Sequence, residues 1–300
     1  MVSLLKPLKW AGAFITCIAI LVTLSILIAS GSRICRGSDC RNWYKSISPA
    51  PANGGTKTVL VGIFTTPEKY DRRALIRSTY LNLNPSDRVH VYFILGKPDK
   101  TEWATLLSLE DALYHDIMVL DVPENMNDGK TYAYFSALAR KYSSTDYMYA
   151  AKVDDDVWLH LPNLETLLRV QGADKRVGAY IGRHVHGTGF MAGMGYMLSW
   201  DLVDWIGKDP YPRQNAIGQE DAVLAGWLHE KNKIQHFWSI EGADQFYDEP
   251  ESGQGWAHNY STQHTIMVHR LKRTDWFLKA SRHFLSDLLP AHIRDNHHKM

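Results

Sequence analysis

Beyond residue 40 the 300-residue chain contains no cysteine; its three are Cys17, Cys35 and Cys40. The bulk of the protein is therefore neither a disulfide-stapled scaffold nor a zinc–cysteine module. An excess of either charge is also lacking, because 33 Lys plus Arg face 32 Asp plus Glu and leave a net charge of +1. A nucleic-acid partner would require a basic surplus to neutralise phosphates, so none is expected. No internal repeat or low-complexity tract follows residue 56. What is present is ordinary globular material, 45% apolar and 22% charged, long enough for one large domain or two small ones. Aromatics reach 11% with ten Trp, which suits a large core or flat apolar ligands.

One long uncharged run exists, the 23 residues from Trp10 to Ser32, bounded by Lys9 and Arg33. As a helix it would span about 34 Å, enough for a bilayer core. Its length favours a transmembrane signal-anchor over a cleaved signal peptide, whose apolar region is about 7–15 residues. Lys6 and Lys9 on one side nearly balance Arg33, Arg36 and Arg41 on the other, so charge alone does not orient it. The asymmetry of the chain does, giving a cytosolic tail over 1–9, an anchor over 10–32 and a lumenal body. Residues 33–56 are rich in Gly, Ser, Pro and Asn and read as a stem. Cys35 and Cys40 in this stem could close a small loop, link two chains as a homodimer, or remain thiols. Asn259-Tyr260-Ser261 is a glycosylation sequon, usable at Asn259 on the lumenal side.

From residue 57 onward, strand-like and helix-like segments alternate. Apolar, β-branched runs at 58–64, 89–95, 117–122 and 146–153 predict strands. Helical spacing predicts helices over 67–81, 101–115 and 131–142. Short connections between them predict an α/β fold with a parallel sheet and crossover helices. Ligands in such sheets gather at the carboxyl ends of strands. The segments to inspect are then Thr65-Thr66, Gly96-Lys97, the loop 125–130, and above all Asp154-Asp155-Asp156.

Three adjacent carboxylates after an apolar strand repel one another unless a cation binds them. In an extended segment Asp154 and Asp156 point the same way and can share an oxygen-liganded divalent ion, Mn²⁺ or Mg²⁺. The alternative is a solvated turn or a cap for the helix beginning near Leu161. A second acidic pair, Glu220-Asp221, opens a predicted helix over 221–231, where carboxylates complement the helix dipole. His269 ends a short apolar strand over 265–269, a place where a histidine is more often structural than ligating.

These segments together resemble glycosyltransferase family 31, the β-1,3-galactosyltransferase-like enzymes, and fungal members more than animal ones. The resemblance covers about residues 57–279. It is carried by Arg72 to Tyr80 (RRALIRSTY), Val91 to Gly96, His115-Asp116-Ile117 with Asp121 and Lys130-Thr131, and Lys152 to Val157. Gly189 to Ser199 (GFMAGMGYMLS), Glu220 to Val223 and Val268-His269-Arg270 complete it. Departures include Tyr80 in place of Trp, Ala192 and Met194 within the glycine run, and Ala222 after the acidic pair.

The resemblance implies a GT-A glycosyltransferase fold over 57–300, anchored in the Golgi membrane as a single-pass type II protein. It implies a UDP-sugar donor, a glycan or glycoprotein acceptor, and inverting transfer of galactose to a hydroxyl in a β-1,3 linkage. By position, Asp156 and His269 would ligate the metal with Asp154 beside them, and Asp155 would lie near the donor ribose or sugar. Arg73, Arg77 and Lys152 would hold the uridine diphosphate end. Gly193 and Gly195 would let the substrates approach the backbone, unless they serve to pack β-structure. Inversion needs one carboxylate to take the acceptor proton; Asp221 is the candidate and Glu220 the alternative. Trp256 could stack on an acceptor sugar. N-acetylglucosaminyl or other hexosyl transfer would use the same motifs, and an inactive sugar-binding protein or a metal-dependent phosphohydrolase would be the readings from other classes.

Overall fold

The structure, a computed structural model, describes residues 56–83, 85–240, 245–250 and 263–288. The anchor, the stem with Cys35 and Cys40, Trp256 and Asn259 all lie outside the described residues. No described helix is long and apolar enough to cross a membrane.

The expected alternation is present. Strand β1 (Lys57–Phe64) leads to α1 (Tyr70–Ile76), which continues as one π-helical turn, Arg77–Leu81. Then come β2 (Val89–Lys97), α2 (Thr101–Tyr114), β3 (Ile117–Pro123), α3 (Lys130–Lys141) and β4 (Tyr147–Asp154). These four strands pair in parallel in the spatial order β3-β2-β1-β4. Beyond them the all-parallel expectation fails. After β5 (Trp158–Leu159) and α4 (Leu161–Thr166), strands β6 (Ala179–His184) and β7 (Met191–Ser199) form an antiparallel hairpin, and β7 pairs antiparallel with β4. The physical reason is the connection: the segment between β6 and β7 is too short for a crossover helix, so the chain must turn back. The sheet closes with β8 (His236–Ser239) beside β6, giving seven strands in a mixed α/β arrangement.

Three further helices, α5 (Trp200–Lys208), α6 (Pro210–Gln214) and α7 (Glu220–Glu230), precede β8. They are followed by β9 (Phe246–Asp248), β10 (Met267–His269) and α8 (Thr274–Phe284). A small second sheet in the order β5-β10-β9 carries His269.

Both faces of the main sheet are covered, as its strand sequences require. On β1, Val59, Val61 and Ile63 join a core with Ile76, Tyr80, Trp158, Phe277 and Ala280. Leu60 and Phe64 point the other way, into a core with Tyr134, Phe135, Leu138, Trp200 and Ile206 from α3 and α5. Gly62 occupies the one β1 position where no side chain fits. The Tyr134 ring lies across it, and its hydroxyl donates to the Ala151 carbonyl at 2.9 Å. A Cβ at Gly62 would sit 2.5 Å from the ring. Gly62→Ala is therefore expected to cost about 1–3 kcal/mol of stability through overpacking, measured by urea unfolding, and Tyr134→Ala should relieve the clash in a double-mutant cycle.

Candidate functional site

The strand order reverses direction between β1 and β4, since β2 and β3 lie to one side of β1 and β4 to the other. A crevice at the carboxyl ends of strands forms at such a switch point. In register, Phe64 pairs with Asp154, which puts Thr65 and the acidic triplet at the same edge. The capping alternative for the triplet does not hold. The cap of α4 is His160, whose Nδ1 accepts from the Asn163 amide at 3.2 Å.

The three acidic residues diverge. Asp154 and Asp156 offer carboxylate oxygens to one point, and β10 supplies His269; one ligand atom from each lies within 4.8 Å of the others. Asp156 is buried, its Oδ1 stands 3.5 Å from His269 Nε2, and that oxygen has no hydrogen-bond partner. Burial and the neighbouring Asp154 and Asp155 push the Asp156 carboxyl above its ordinary range, against the opposing pull of His269 and Lys272. A buried carboxylate oxygen without a partner, facing a second carboxylate and an imidazole, fits a divalent cation in its chemistry. Asp155 instead turns back to the β1 end. Its Oδ2 accepts from Thr65 Oγ1 at 2.7 Å and from Lys69 Nζ at 2.9 Å, so it is already bonded to protein rather than free for a ribose.

Lys152 joins this triad to the acidic pair on α7. Its Nζ lies 2.7 Å from Asp154 Oδ1 and donates to Glu220 Oε2 at 2.8 Å and the Gly193 carbonyl at 2.6 Å. Burial works against the charge on this side chain, only 1% exposed, but Asp154 and Glu220 outweigh it and raise the pKa, so the ammonium is held protonated. Lys152 is a bracket between carboxylates. With its hydrogens used inside the protein, it does not serve as the expected donor contact.

The two α7 carboxylates are unlike. Glu220 is bonded at both oxygens, to Lys152 and to the buried Tyr196 hydroxyl. Its pKa is raised by burial in spite of both partners. Asp221 Oδ1 accepts from the Ala222 amide at 2.9 Å, and among the described residues nothing bonds its Oδ2. That oxygen faces the bare backbone of Gly193, where a Cβ would lie 3.4 Å from both Asp221 Oδ2 and Glu220 Oε2. Gly193 thus keeps open the space next to the acids. Gly195 does not; a Cβ there would strike Met267 Sδ at 2.6 Å, so its absent side chain admits β10 against β7.

Arg73 and Arg77 are not brought to the cleft. A buried guanidinium needs counter-charge, and both find it on α2. Arg73 donates to Glu110 at 2.6 Å and to the Thr66 and Pro67 carbonyls, and Arg77 donates to Glu110 and Asp116, each at 2.7 Å. Arg77 ties α1 to the end of α2 and the start of β3, and Arg73 fixes the β1–α1 loop. Lys130 does the same from α3, donating to the Thr65 carbonyl at 2.8 Å and to Glu124 at 2.6 Å.

Three site residues escaped the sequence reading: Tyr196, Thr65 as a partner of Asp155, and Asp248. Tyr196 lies inside the quoted glycine run, so a signal for it existed. Asp248 has no motif around it and reaches His269 only through the parallel register of β9 and β10.

A cation-fitting triad is thus joined through Lys152 to a pair of carboxylates at the carboxyl edge of the sheet. The family model described as galactosyltransferase matches residues 71–189, from α1 to the turn before β7. The chain is similar to that family over this stretch. The β-1,3-galactosyltransferase pvg3 of Schizosaccharomyces pombe is 25% identical over 304 residues, covering 79% of each chain. The lactosylceramide 1,3-N-acetyl-beta-D-glucosaminyltransferase of Rattus norvegicus is 33% identical over 145 residues, covering 44% of this chain and 37% of that one. Among solved structures, a glycosyltransferase involved in glycosylation of the major capsid of PBCV-1 aligns with a TM-score of 0.41 at 12% identity, over 76% of this chain and 98% of that one.

Removing the bracket should be costly. Lys152→Met leaves buried Glu220 with the Tyr196 hydroxyl but no cation and takes the ammonium from half-buried Asp154, with an expected loss of about 3–5 kcal/mol by denaturant unfolding. Adding Glu220→Gln, which removes one orphaned charge, should restore part of that loss.

Proposed function

We propose that the protein is an inverting, metal-dependent hexosyltransferase of GT-A type. It transfers galactose from UDP-galactose to a hydroxyl of a glycan or glycoprotein acceptor, forming a β-1,3 linkage. The observation that carries the reading is the contrast within the α7 pair: Glu220 is bonded at both oxygens, while Asp221 presents Oδ2 beside the open face of Gly193. A base must have an unengaged lone pair within reach of the acceptor proton. Asp221 has an oxygen that nothing bonds among the described residues, whereas each Glu220 oxygen already accepts a hydrogen bond, one of them from the Lys152 ammonium that disfavours its protonation.

Asp154, Asp156 and His269 would hold the cation. Mn²⁺ suits a set of two carboxylates and one imidazole better than Mg²⁺, which prefers oxygen alone. When bound, it would offset the charge that develops on the departing nucleoside diphosphate. Asp221 would take the acceptor proton as the new bond forms, and the protonated Lys152 would keep Asp154 and Glu220 in place. N-acetylglucosamine is the alternative sugar, in line with the activity for which the rat relative is named. The uncharged run over 10–32 supports a type II anchor with the catalytic body in the Golgi lumen, where protein glycosylation would use it.

Product analysis with a panel of UDP-sugars, β-galactoside and N-acetylhexosamine acceptors and Mn²⁺ tests the reaction. UDP-galactose should be turned over to a β-1,3 product, and excess chelator should abolish turnover. Asp221→Asn is expected to lower turnover by about 10²–10⁴-fold, the usual worth of a general base, with the fold intact. Glu220→Gln should be milder. The opposite ranking would exchange the two roles. For topology, a C-terminal tag should resist protease in intact vesicles; a digested tag would refute the lumenal placement.

A further inference from the structure

Strands β9 and β10 run parallel, and their last residues, Asp248 and His269, sit in register. The two side chains therefore share a face. Asp248 Oδ1 lies 2.8 Å from His269 Nδ1. In a neutral imidazole the nitrogen at hydrogen-bond distance from a carboxylate, here Nδ1 at 2.8 Å against 3.5 Å for Nε2, carries the ring proton and leaves the lone pair on the other nitrogen. That other nitrogen, Nε2, is the one 3.5 Å from the unpartnered Asp156 Oδ1. The tautomer that Asp248 selects is thus the one in which His269 can ligate at the triad.

A second feature braces Asp248. Arg270 follows His269 with a φ of 62°, a left-handed conformation uncommon for a residue with a side chain. Its Nε reaches the same Asp248 Oδ1 at 3.1 Å, and its Nη1 donates to the Glu249 carbonyl at 3.3 Å. From β6, Arg183 Nη1 donates to the Phe246 carbonyl at 3.3 Å and lies 3.8 Å from Asp248 Oδ2. Two cations from different elements converge on one carboxylate whose nearest partner is the histidine ring. A carboxylate needed only to join β9 to β10 would not require them, because the backbone ladder already does so.

We infer that Asp248 is a positioning residue: it fixes the tautomer and ring orientation of His269 so that Nε2 is presented to a divalent cation. This rests on the metal-dependent reading above. Partners of this kind, one bond behind a ligating histidine, typically alter metal affinity by about 10–100-fold when removed.

The test is Mn²⁺ binding to the full chain, read from the free-ion EPR signal, with no donor or acceptor present. Asp248→Ala is expected to weaken binding by about 10–100-fold. Asp248→Asn, which keeps an acceptor for the Nδ1 proton but loses the charge, should weaken it less. A metal-free readout accompanies this. In ¹⁵N-histidine correlation spectra, with His269 assigned by its loss in His269→Gln, the wild-type ring should be protonated at Nδ1. In Asp248→Ala it should shift toward protonation at Nε2. If the wild type binds no Mn²⁺, the metal-dependent reading falls and this inference with it. If the wild type binds and Asp248→Ala binds equally well, only this inference falls. Should the alanine variant fail to fold, Asp248→Asn and the wild-type tautomer decide, and a wild-type ring protonated at Nε2 overturns the role of Asp248.

Discussion

The buried ammonium of Lys152 is the contact on which the site depends. It is the one cation placed between the strand-end triad and the helix-borne acids, touching Asp154 on its own strand and Glu220 on α7. Without it, buried Glu220 would have no cation to offset its charge and would repel half-buried Asp154 as α7 approaches β4. Its third bond, to the Gly193 carbonyl, ties in β7 as well. The ladder between β4 and β7 fixes those two strands, and this single charge ties α7 to them, and with it the acidic pair to the triad.

The sheet makes that contact possible. Parallel β1 and β4 deliver Thr65 and Asp154–Asp156 to one edge, because both strands end on the same side. The antiparallel β7 does the opposite: it begins at that edge, so its glycine-bearing first half, Gly193 and Gly195, lies against the carboxyl end of β4. An all-parallel sheet would put these glycines at the far end of their strand. The reversal after β6 is thus a condition for the site, and a helix crossover at that point would have separated Gly193 from Lys152.

The parts of this that were legible in the sequence share a physical trait: they announce themselves locally. β1 to β4 are short apolar runs between polar punctuation, and the triplet Asp154–Asp156 is improbable without a cation. The parts that were not legible depend on partners far away in the chain. Arg73 and Arg77 look like anion-binding residues until Glu110, more than thirty positions later, is seen beneath them. Glu220 and Asp221 are equivalent as letters and become distinct only once Lys152 and Tyr196 take the oxygens of one. Asp248 has no neighbouring motif at all. A positive side chain in a motif does not reveal whether its charge faces a ligand or a buried carboxylate, because both environments reward the same residue type.

That distinction bears on how the site handles charge. Most cations around the crevice are already paired inside the protein: Lys69 with Asp155, Lys152 with Asp154 and Glu220, Arg270 with Asp248. Asp156 is left with an oxygen that no hydrogen bond reaches and with burial that penalises its charge. An uncompensated buried carboxylate is costly, and substituting a neutral residue would remove the cost. An additional positive charge arriving at that point from outside the chain would remove the cost while keeping the carboxylate. Protein cations cannot supply it, since a Lys or Arg placed there would pair with Asp154 and close the crevice. A small divalent ion held by Asp154, Asp156 and His269 would supply it, and would also offset charge on a diphosphate.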